Sequence, residues 1–287
     1  MSDPRTRTFI TATDLAAAIG AERLIVLLDV RDKVDPPVER PLIPGAIPAY
    51  LATDFSGAAS PSAGSRPLPE IADLQAKVRH WGITADSLVV VYDDNAGAQA
   101  GRAWWTLRWA GVENVRLLDG GLAGWTASGR QMANEPPPTP RPGNILLRPG
   151  QMPTLDADQA AALACDGVLL DARGRAAYVG APAEAGKPPT GHIPGAISAP
   201  SAHSIGADGH FKSTEDLRAH FAGLGADGAQ QVGVYCGSGN AASHLIAGLN
   251  AIGIEAPLYV GSWSAWSADP ARPVATGAEP GSEEKPA

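Results

Sequence analysis

The chain repeats itself once, and that limits its architecture more than any other feature. Leu27-Leu28-Asp29-Val30-Arg31 returns as Leu169-Leu170-Asp171-Ala172-Arg173, and Ile43-Pro44-Gly45-Ala46-Ile47 returns as Ile193-Pro194-Gly195-Ala196-Ile197. Val90-Val91-Tyr92-Asp93 matches Gly233-Val234-Tyr235-Cys236, and Gly120-Gly121-Leu122-Ala123-Gly124-Trp125 matches Gly261-Ser262-Trp263-Ser264-Ala265-Trp266. The four matches keep their order at nearly one offset, about half the chain. A period this long means duplicated domains, not a solenoid. The 287 residues agree, because one hydrophobic core rarely serves more than roughly 250–300.

Between the copies lies Glu135-Pro136-Pro137-Pro138-Thr139-Pro140-Arg141-Pro142-Gly143. Proline favours extended chain and removes donors, so this reads as a semi-rigid linker. The expected organisation is a first domain over 8–131, a Pro-rich linker over 132–152, a second domain over 153–276 and a disordered Gly, Pro and acid-rich tail over 277–287. Short apolar runs such as Leu24 to Leu28, Leu88 to Tyr92, Val168 to Leu170, Val232 to Tyr235 and Leu258 to Val260 read as strands buried on both faces. Helical patterns alternate with them, as in Asp156 to Cys165, Thr214 to Leu224 and Asn240 to Ile252. The fold class is therefore α/β: two similar domains, each a mostly parallel sheet with helices on both faces. Ligands in such sheets bind outside the carboxyl ends of the strands.

Charge narrows the function classes. Lys plus Arg is 22 and Asp plus Glu is 30, a net charge of −8, which argues against a nucleic-acid partner. No apolar stretch approaches the ~18 residues that span a bilayer, and no apolar run follows Met1 to Arg5 as a secretory leader requires. No membrane partner and a cytoplasmic location are expected. The two cysteines, Cys165 and Cys236, give neither a disulfide framework nor a Cys-x-x-Cys pair.

The sharpest local feature is Val234-Tyr235-Cys236-Gly237-Ser238-Gly239-Asn240-Ala241-Ala242. A buried strand ends at Cys236, a loop of small residues follows, and a helix begins. Gly237 and Gly239 can adopt backbone angles that let successive N–H groups point at one anion, and the helix N-terminus adds positive partial charge. That setting favours a thiolate or persulfide at Cys236. A buried structural cysteine is the bland alternative, and the strand–Cys-Gly-x-Gly–helix pattern outweighs it. Cys165, inside a helix, reads as packing.

With these residues in hand, the chain resembles the tandem-domain rhodanese-type sulfurtransferases, the thiosulfate and 3-mercaptopyruvate sulfurtransferase family, from about Phe9 to Gly277. The two Asp-x-Arg strand ends, Gly191-His192-Ile193-Pro194-Gly195-Ala196, the Cys236 loop and Gly261-Ser262-Trp263-Ser264-Ala265-Trp266-Ser267 carry the resemblance. It implies a non-catalytic first domain, where Asp93 stands in place of the nucleophile, and a second domain whose Cys236 accepts a sulfane sulfur as a persulfide. A small donor supplies the sulfur, and a thiol, a thioredoxin-like reductant or cyanide accepts it. No metal or organic cofactor is implied.

The donor is read from the loop. Members that prefer thiosulfate carry Arg and Lys after the cysteine, suiting a compact dianion; this loop is neutral, like those that prefer 3-mercaptopyruvate. Gly237, Ser238, Gly239, Asn240 and Ala241 are the expected donor-binding residues, with Arg173 and Arg175 as cationic candidates beside Lys187. The chain departs from the family where a Val-Thr pair becomes Asn240-Ala241, where a supporting histidine becomes Leu42, and where clamp arginines become Ala177 and Val179. Arg173 is also readable as a structural ion-pair partner, Ser238 as a loop-shaping hydroxyl, and His192 as a turn residue bonded to backbone. His203, His210, His220 and His244 read as exposed, Trp104, Trp105 and Trp109 as core or interface, Trp263 as pocket wall or core, and Asp93 as a solvated loop acid. A cysteine phosphatase would need Cys-x5-Arg, but Ala242 occupies that arginine position. No ligand cluster suggests a metal site. A thiosulfate sulfurtransferase and a non-enzymatic sulfur-relay or binding module are the remaining rivals.

Overall fold

The structure, a computed structural model, describes residues 3–21, 24–32, 41–135, 137, 139–180 and 190–281. Two compact units emerge, and neither is a continuous stretch of sequence. The first comprises Met1–Gly57, Leu68–Met152 and Ile205–Lys212; the second comprises Ala58–Pro67, Pro153–Ser204 and Ser213–Ala287.

In the first unit, strands β1 (Phe9–Ile10), β2 (Ile25–Arg31), β3 (Ile47–Tyr50), β4 (Leu88–Tyr92) and β5 (Val115–Leu118) form one parallel sheet in the order β1-β5-β4-β2-β3. Every residue of β4 is buried, as a continuous apolar run covered on both faces requires. The helix Ala98–Trp109 packs Trp104 and Trp105 into the interior, while Trp109 is half-buried. The expected linker lies against this unit: Gly143, Arg148 and Gln151 donate their amides to the carbonyls of Arg79, Ala110 and Trp109 at 2.7, 2.8 and 3.0 Å. Within Ile205–Lys212, Phe211 stacks on Phe9 with centroids 4.2 Å apart and donates its amide to Asp119 Oδ1 at 2.8 Å.

The second unit repeats this plan. Strands β6 (Thr154–Leu155), β7 (Val168–Asp171), β8 (Ile197–Ser198), β9 (Val232–Tyr235) and β10 (Leu258–Tyr259) are parallel, in the order β6-β10-β9-β7-β8. The duplication read from sequence is thus a duplication of topology. The helix Ala157–Asp166 starts with a full capping box between Asp156 and Gln159, and the helix Asn240–Ala251 follows β9 directly. The last described residues are bonded to this unit: Gly277 donates to Val179 O and Gly195 to Pro280 O, both at 2.8 Å. Residues 282–287 of the expected tail lie outside the described residues. In the segment Ala58–Pro67, Gly64 has φ +86° and sits so close to Gly261 that a Cβ there would lie 2.5 Å from the Gly261 carbonyl oxygen, so only glycine fits. Among the described residues, no helix is long and apolar enough to cross a membrane.

Candidate active site

The site forms where β9 ends. Two parallel neighbours, β7 and β10, flank this strand, so its carboxyl end opens at the middle of the sheet edge where α/β proteins place ligands. Tyr235 closes the strand: its side chain is fully buried and its hydroxyl accepts the Ile193 amide at 3.1 Å. That bond ties the strand to the Ile193-Pro194-Gly195-Ala196 turn. The same bond, Ile43 N–H to Tyr92 hydroxyl at 3.1 Å, recurs in the first unit.

Cys236 comes next, 2% exposed. The chain reverses over Gly237, Ser238 and Gly239, and Gly239, at φ +90°, precedes the first residue of the helix Asn240–Ala251. This left-handed turn aims the Gly239 N–H at Cys236 Sγ, 3.0 Å away. An amide donor and a helix N-terminus therefore meet at the sulfur, an arrangement that stabilises negative charge there. The loop is open on one side, since a Cβ built on Gly237 would meet no atom within 4 Å.

A second turn braces the loop from behind. The Trp263 N–H donates to Cys236 O at 2.8 Å, and the Ser264 N–H donates to Gly237 O at 3.0 Å. Ser262, fully buried, adopts φ +51°, a conformation that side-chain-bearing residues rarely adopt. Its hydroxyl donates to Tyr259 O at 2.9 Å and accepts the Cys236 N–H at 3.4 Å. Ser264 Oγ also accepts the Ser65 amide at 2.9 Å, so Ala58–Pro67 is anchored to the same brace. The Gly261-to-Ser267 motif by itself gives Ser262 and Ser264 no role. The available signal was the repeat, in which Ser262 replaces Gly121, itself at φ +54°.

Arg173 faces inward to its own strand end. Its Nε donates to both Asp171 carboxylate oxygens, at 2.9 and 3.0 Å, and its Nη2 donates to Gly191 O at 2.6 Å. The guanidinium lies 4.5 Å from the centroid of the half-buried Trp263 ring. Arg175, in contrast, begins a short helix and is exposed. Ser238, Asn240 and Ala241 are half-buried around the loop, and Lys187 lies outside the described residues. Leu42 is buried and pairs with Ala133 through backbone bonds.

His192 is fully buried, stacked on Tyr178 at 3.8 Å, with Nδ1 2.9 Å from Tyr178 O and Nε2 3.1 Å from Pro280 O. It is a backbone-bonded turn residue, as its motif suggested. His210 and His220 are half-buried rather than exposed, and three further readings change. His244 is 2% exposed, not a surface histidine, because the helix Asn240–Ala251 is buried nearly all round. Cys165 is exposed in the last turn of its helix, not packed. Asp93 is no solvated acid: it is fully buried, with Asn95 and Gly97 donating to Oδ1 at 2.9 and 2.8 Å and Gln99 and Ala100 donating to Oδ2 at 2.7 and 2.8 Å. Burial pushes its carboxyl above the ordinary 3.8, against the four amides, which lower it.

Comparison with known proteins agrees with this geometry. The rhodanese-like domain model matches twice, at residues 11–128 and 156–269. A putative thiosulfate sulfurtransferase, SseB, of Mycobacterium tuberculosis is 42% identical over 286 residues, covering 95% of this chain and 98% of that protein. A probable 3-mercaptopyruvate sulfurtransferase of Pseudomonas aeruginosa is 41% identical over 280 residues, covering 93% and 98%. Among solved structures, the crystal structure of YnjE superposes with a TM-score of 0.83 at 24% identity, covering 96% of this chain and 70% of that one, a likeness of fold. Two copies of one α/β unit, one ending its central strand in a cysteine and the other in a carboxylate, thus meet relatives alike over almost their whole length, and the chain belongs to the rhodanese-like family of sulfurtransferases.

Proposed function

We propose that this sulfurtransferase takes a sulfane sulfur from 3-mercaptopyruvate in preference to thiosulfate, carries it as a Cys236 persulfide and delivers it to a thiol or cyanide. The observation that carries this reading is the Gly239 N–H set 3.0 Å from Cys236 Sγ. In the first step the Cys236 thiolate attacks the sulfane sulfur. A sulfur–sulfur bond forms, and the donor's carbon–sulfur bond breaks to leave the enolate of pyruvate, which takes a proton; from thiosulfate, a sulfur–sulfur bond breaks to leave sulfite. In the second step the acceptor attacks the outer sulfur and Cys236 leaves as thiolate.

The first unit offers a parallel to this cradle. Its equivalent loop holds the Asp93 carboxyl with four main-chain N–H groups, so this loop design can surround an acidic group. In the Cys236 loop the matching donors are the amides of Ser238, Gly239, Ala241 and Ala242, and we assign them to the outer sulfur of the persulfide. Gly237 to Ala241 form the donor-binding loop and contain no charged side chain, which disfavours a dianion relative to a keto acid. Arg173 braces the strand end, and Arg175 is an exposed cation among the described residues. A cytoplasmic setting, where thiols stay reduced, suits two free cysteines.

Steady-state comparison of the two donors with cyanide as acceptor tests the assignment. A higher kcat/KM for 3-mercaptopyruvate is expected, and a clear preference for thiosulfate would overturn the donor reading.

A further inference from the structure

His192 is a fully buried titratable group that sulfur transfer does not use. Its Nδ1 lies 2.9 Å from Tyr178 O and its Nε2 lies 3.1 Å from Pro280 O. Both partners are carbonyl oxygens, which can only accept. A neutral imidazole carries a single N–H, so it satisfies one carbonyl and turns a lone pair on the other. The imidazolium satisfies both. The Tyr178 ring lies flat on the imidazole, with centroids 3.8 Å apart and planes 6° apart, and its electron-rich face favours a cation. Burial pushes the Tyr178 hydroxyl up to about 12, so it stays neutral while a histidine titrates.

Pro280 belongs to segment 274–281, which is sewn onto the His192 turn by its backbone. The His192 N–H donates to Ala275 O at 2.9 Å, and the Ala275 N–H donates to His192 O at 3.0 Å. Gly277 donates to Val179 O and Gly195 to Pro280 O, both at 2.8 Å. The first unit makes the matching backbone pair, Leu42 with Ala133 at 2.7 and 2.8 Å, with leucine at the histidine position. The imidazole is thus an addition in the copy that carries Cys236.

We infer that segment 274–281 is a proton-operated latch on the Cys236 unit, seated when His192 is an imidazolium and loosened when His192 releases one proton to solvent. Neutral His192 keeps the shorter bond, to Tyr178 O, and meets Pro280 O with a lone pair. The loosened end bears on the site through the turn: Gly195 holds Pro280 O, and the Ile193 amide holds the hydroxyl of Tyr235, the residue before Cys236, at 3.1 Å. The charged groups described on the elements packed around His192 are Arg175 on the Tyr178 helix, Asp171 and Arg173 at the end of β7, and Glu279 on the latch. At Tyr178, Asp171 and Glu279 act with the sign that favours a cation beside it, and Arg175 opposes them. The latch stands apart from the persulfide reading, because none of its readouts involves sulfur.

The test uses the full chain from about pH 5 to about pH 8, the range in which a histidine changes charge. Nitrogen NMR of histidine-labelled protein, with the His192 signals identified by their loss in His192→Leu, reads the protonation of each ring nitrogen. Hydrogen exchange followed by mass spectrometry, corrected for intrinsic base catalysis, reads the protection of 274–281. Wild type should show both ring nitrogens protonated while the segment is protected. Protection should fall about tenfold or more as pH rises and Nε2 loses its proton, the factor expected when one charge-assisted hydrogen bond is lost. His192→Leu copies Leu42 and should hold the segment at the weaker, high-pH level throughout. If that variant does not fold, His192→Gln, which carries no titratable proton, has the same expectation. Three results overturn the latch: only one ring nitrogen protonated while the segment is protected, wild-type protection constant across the range, or the wild-type pH dependence persisting in the leucine or glutamine variant. A wild type that gains no sulfur at Cys236 overturns the persulfide reading instead and leaves these readouts of the latch unaffected.

Discussion

Asp93 and Cys236 occupy the same place in two copies of one loop, and each is held from behind by the same bond. The Asp93 carbonyl accepts the Leu122 amide and the Cys236 carbonyl accepts the Trp263 amide, both at 2.8 Å. Leu122 and Trp263 are themselves partners in the repeat. Each central strand also ends in a buried tyrosine whose hydroxyl accepts an isoleucine amide at 3.1 Å. The frame that presents the reactive sulfur is thus built twice, and one copy encloses a carboxylate in its place.

The enclosed carboxylate titrates with a definite sign. Burial raises Asp93 above 3.8, so the folded state favours its protonated form more than the unfolded chain does. Its contribution to stability is therefore fully present below the unfolded value of about 3.9 and is lost as pH rises through the raised folded value. Carbon-detected NMR of the side-chain carboxyl should give a midpoint above 3.8. In urea unfolding, the stability of wild type relative to Asp93→Asn should decline as pH rises through that midpoint and then level off; a difference that grows with pH would contradict this.

Ser262 combines a useful hydroxyl with an unfavourable backbone. Replacing it with alanine or glycine removes the bonds to Tyr259 O and Cys236 N–H alike, but alanine must still adopt φ near +51°. The alanine variant is therefore expected to be less stable than the glycine variant by about 1 kcal/mol. Denaturant unfolding of both measures this, and a more stable alanine variant would show that the turn relaxes elsewhere.

Arg173 separates bracing from donor binding. Its guanidinium spans Asp171 and Gly191 O, and a lysine cannot reproduce that fork. Arg173→Lys is expected to lower unfolding stability by about 1–3 kcal/mol and to change donor KM by less than about threefold. A large rise in KM at unchanged stability would instead place the guanidinium on the donor.

Much of this architecture is written locally in the chain. Strands such as Leu88–Tyr92 and Val232–Tyr235 are continuous apolar runs bounded by turn residues, and the Cys236 loop announces itself by its glycines. What the sequence hides depends on tertiary placement. Nothing near Ala58–Pro67 or Ile205–Lys212 signals that each segment packs with the unit containing the other half of the chain. The Asp93 cradle arises only when the turn lines up four amides, and an aspartate in a polar loop reads as solvated without that knowledge. His244 misleads for a related reason: on a helix buried nearly all round, a polar residue is no marker of the outer face.

Covalent uptake of sulfur by Cys236 is read from intact-protein mass spectrometry after incubation with 3-mercaptopyruvate or thiosulfate. A gain of one sulfur atom is expected, removed by cyanide and absent in Cys236→Ser. A wild-type mass unchanged by both donors, or the same gain in Cys236→Ser, would contradict it.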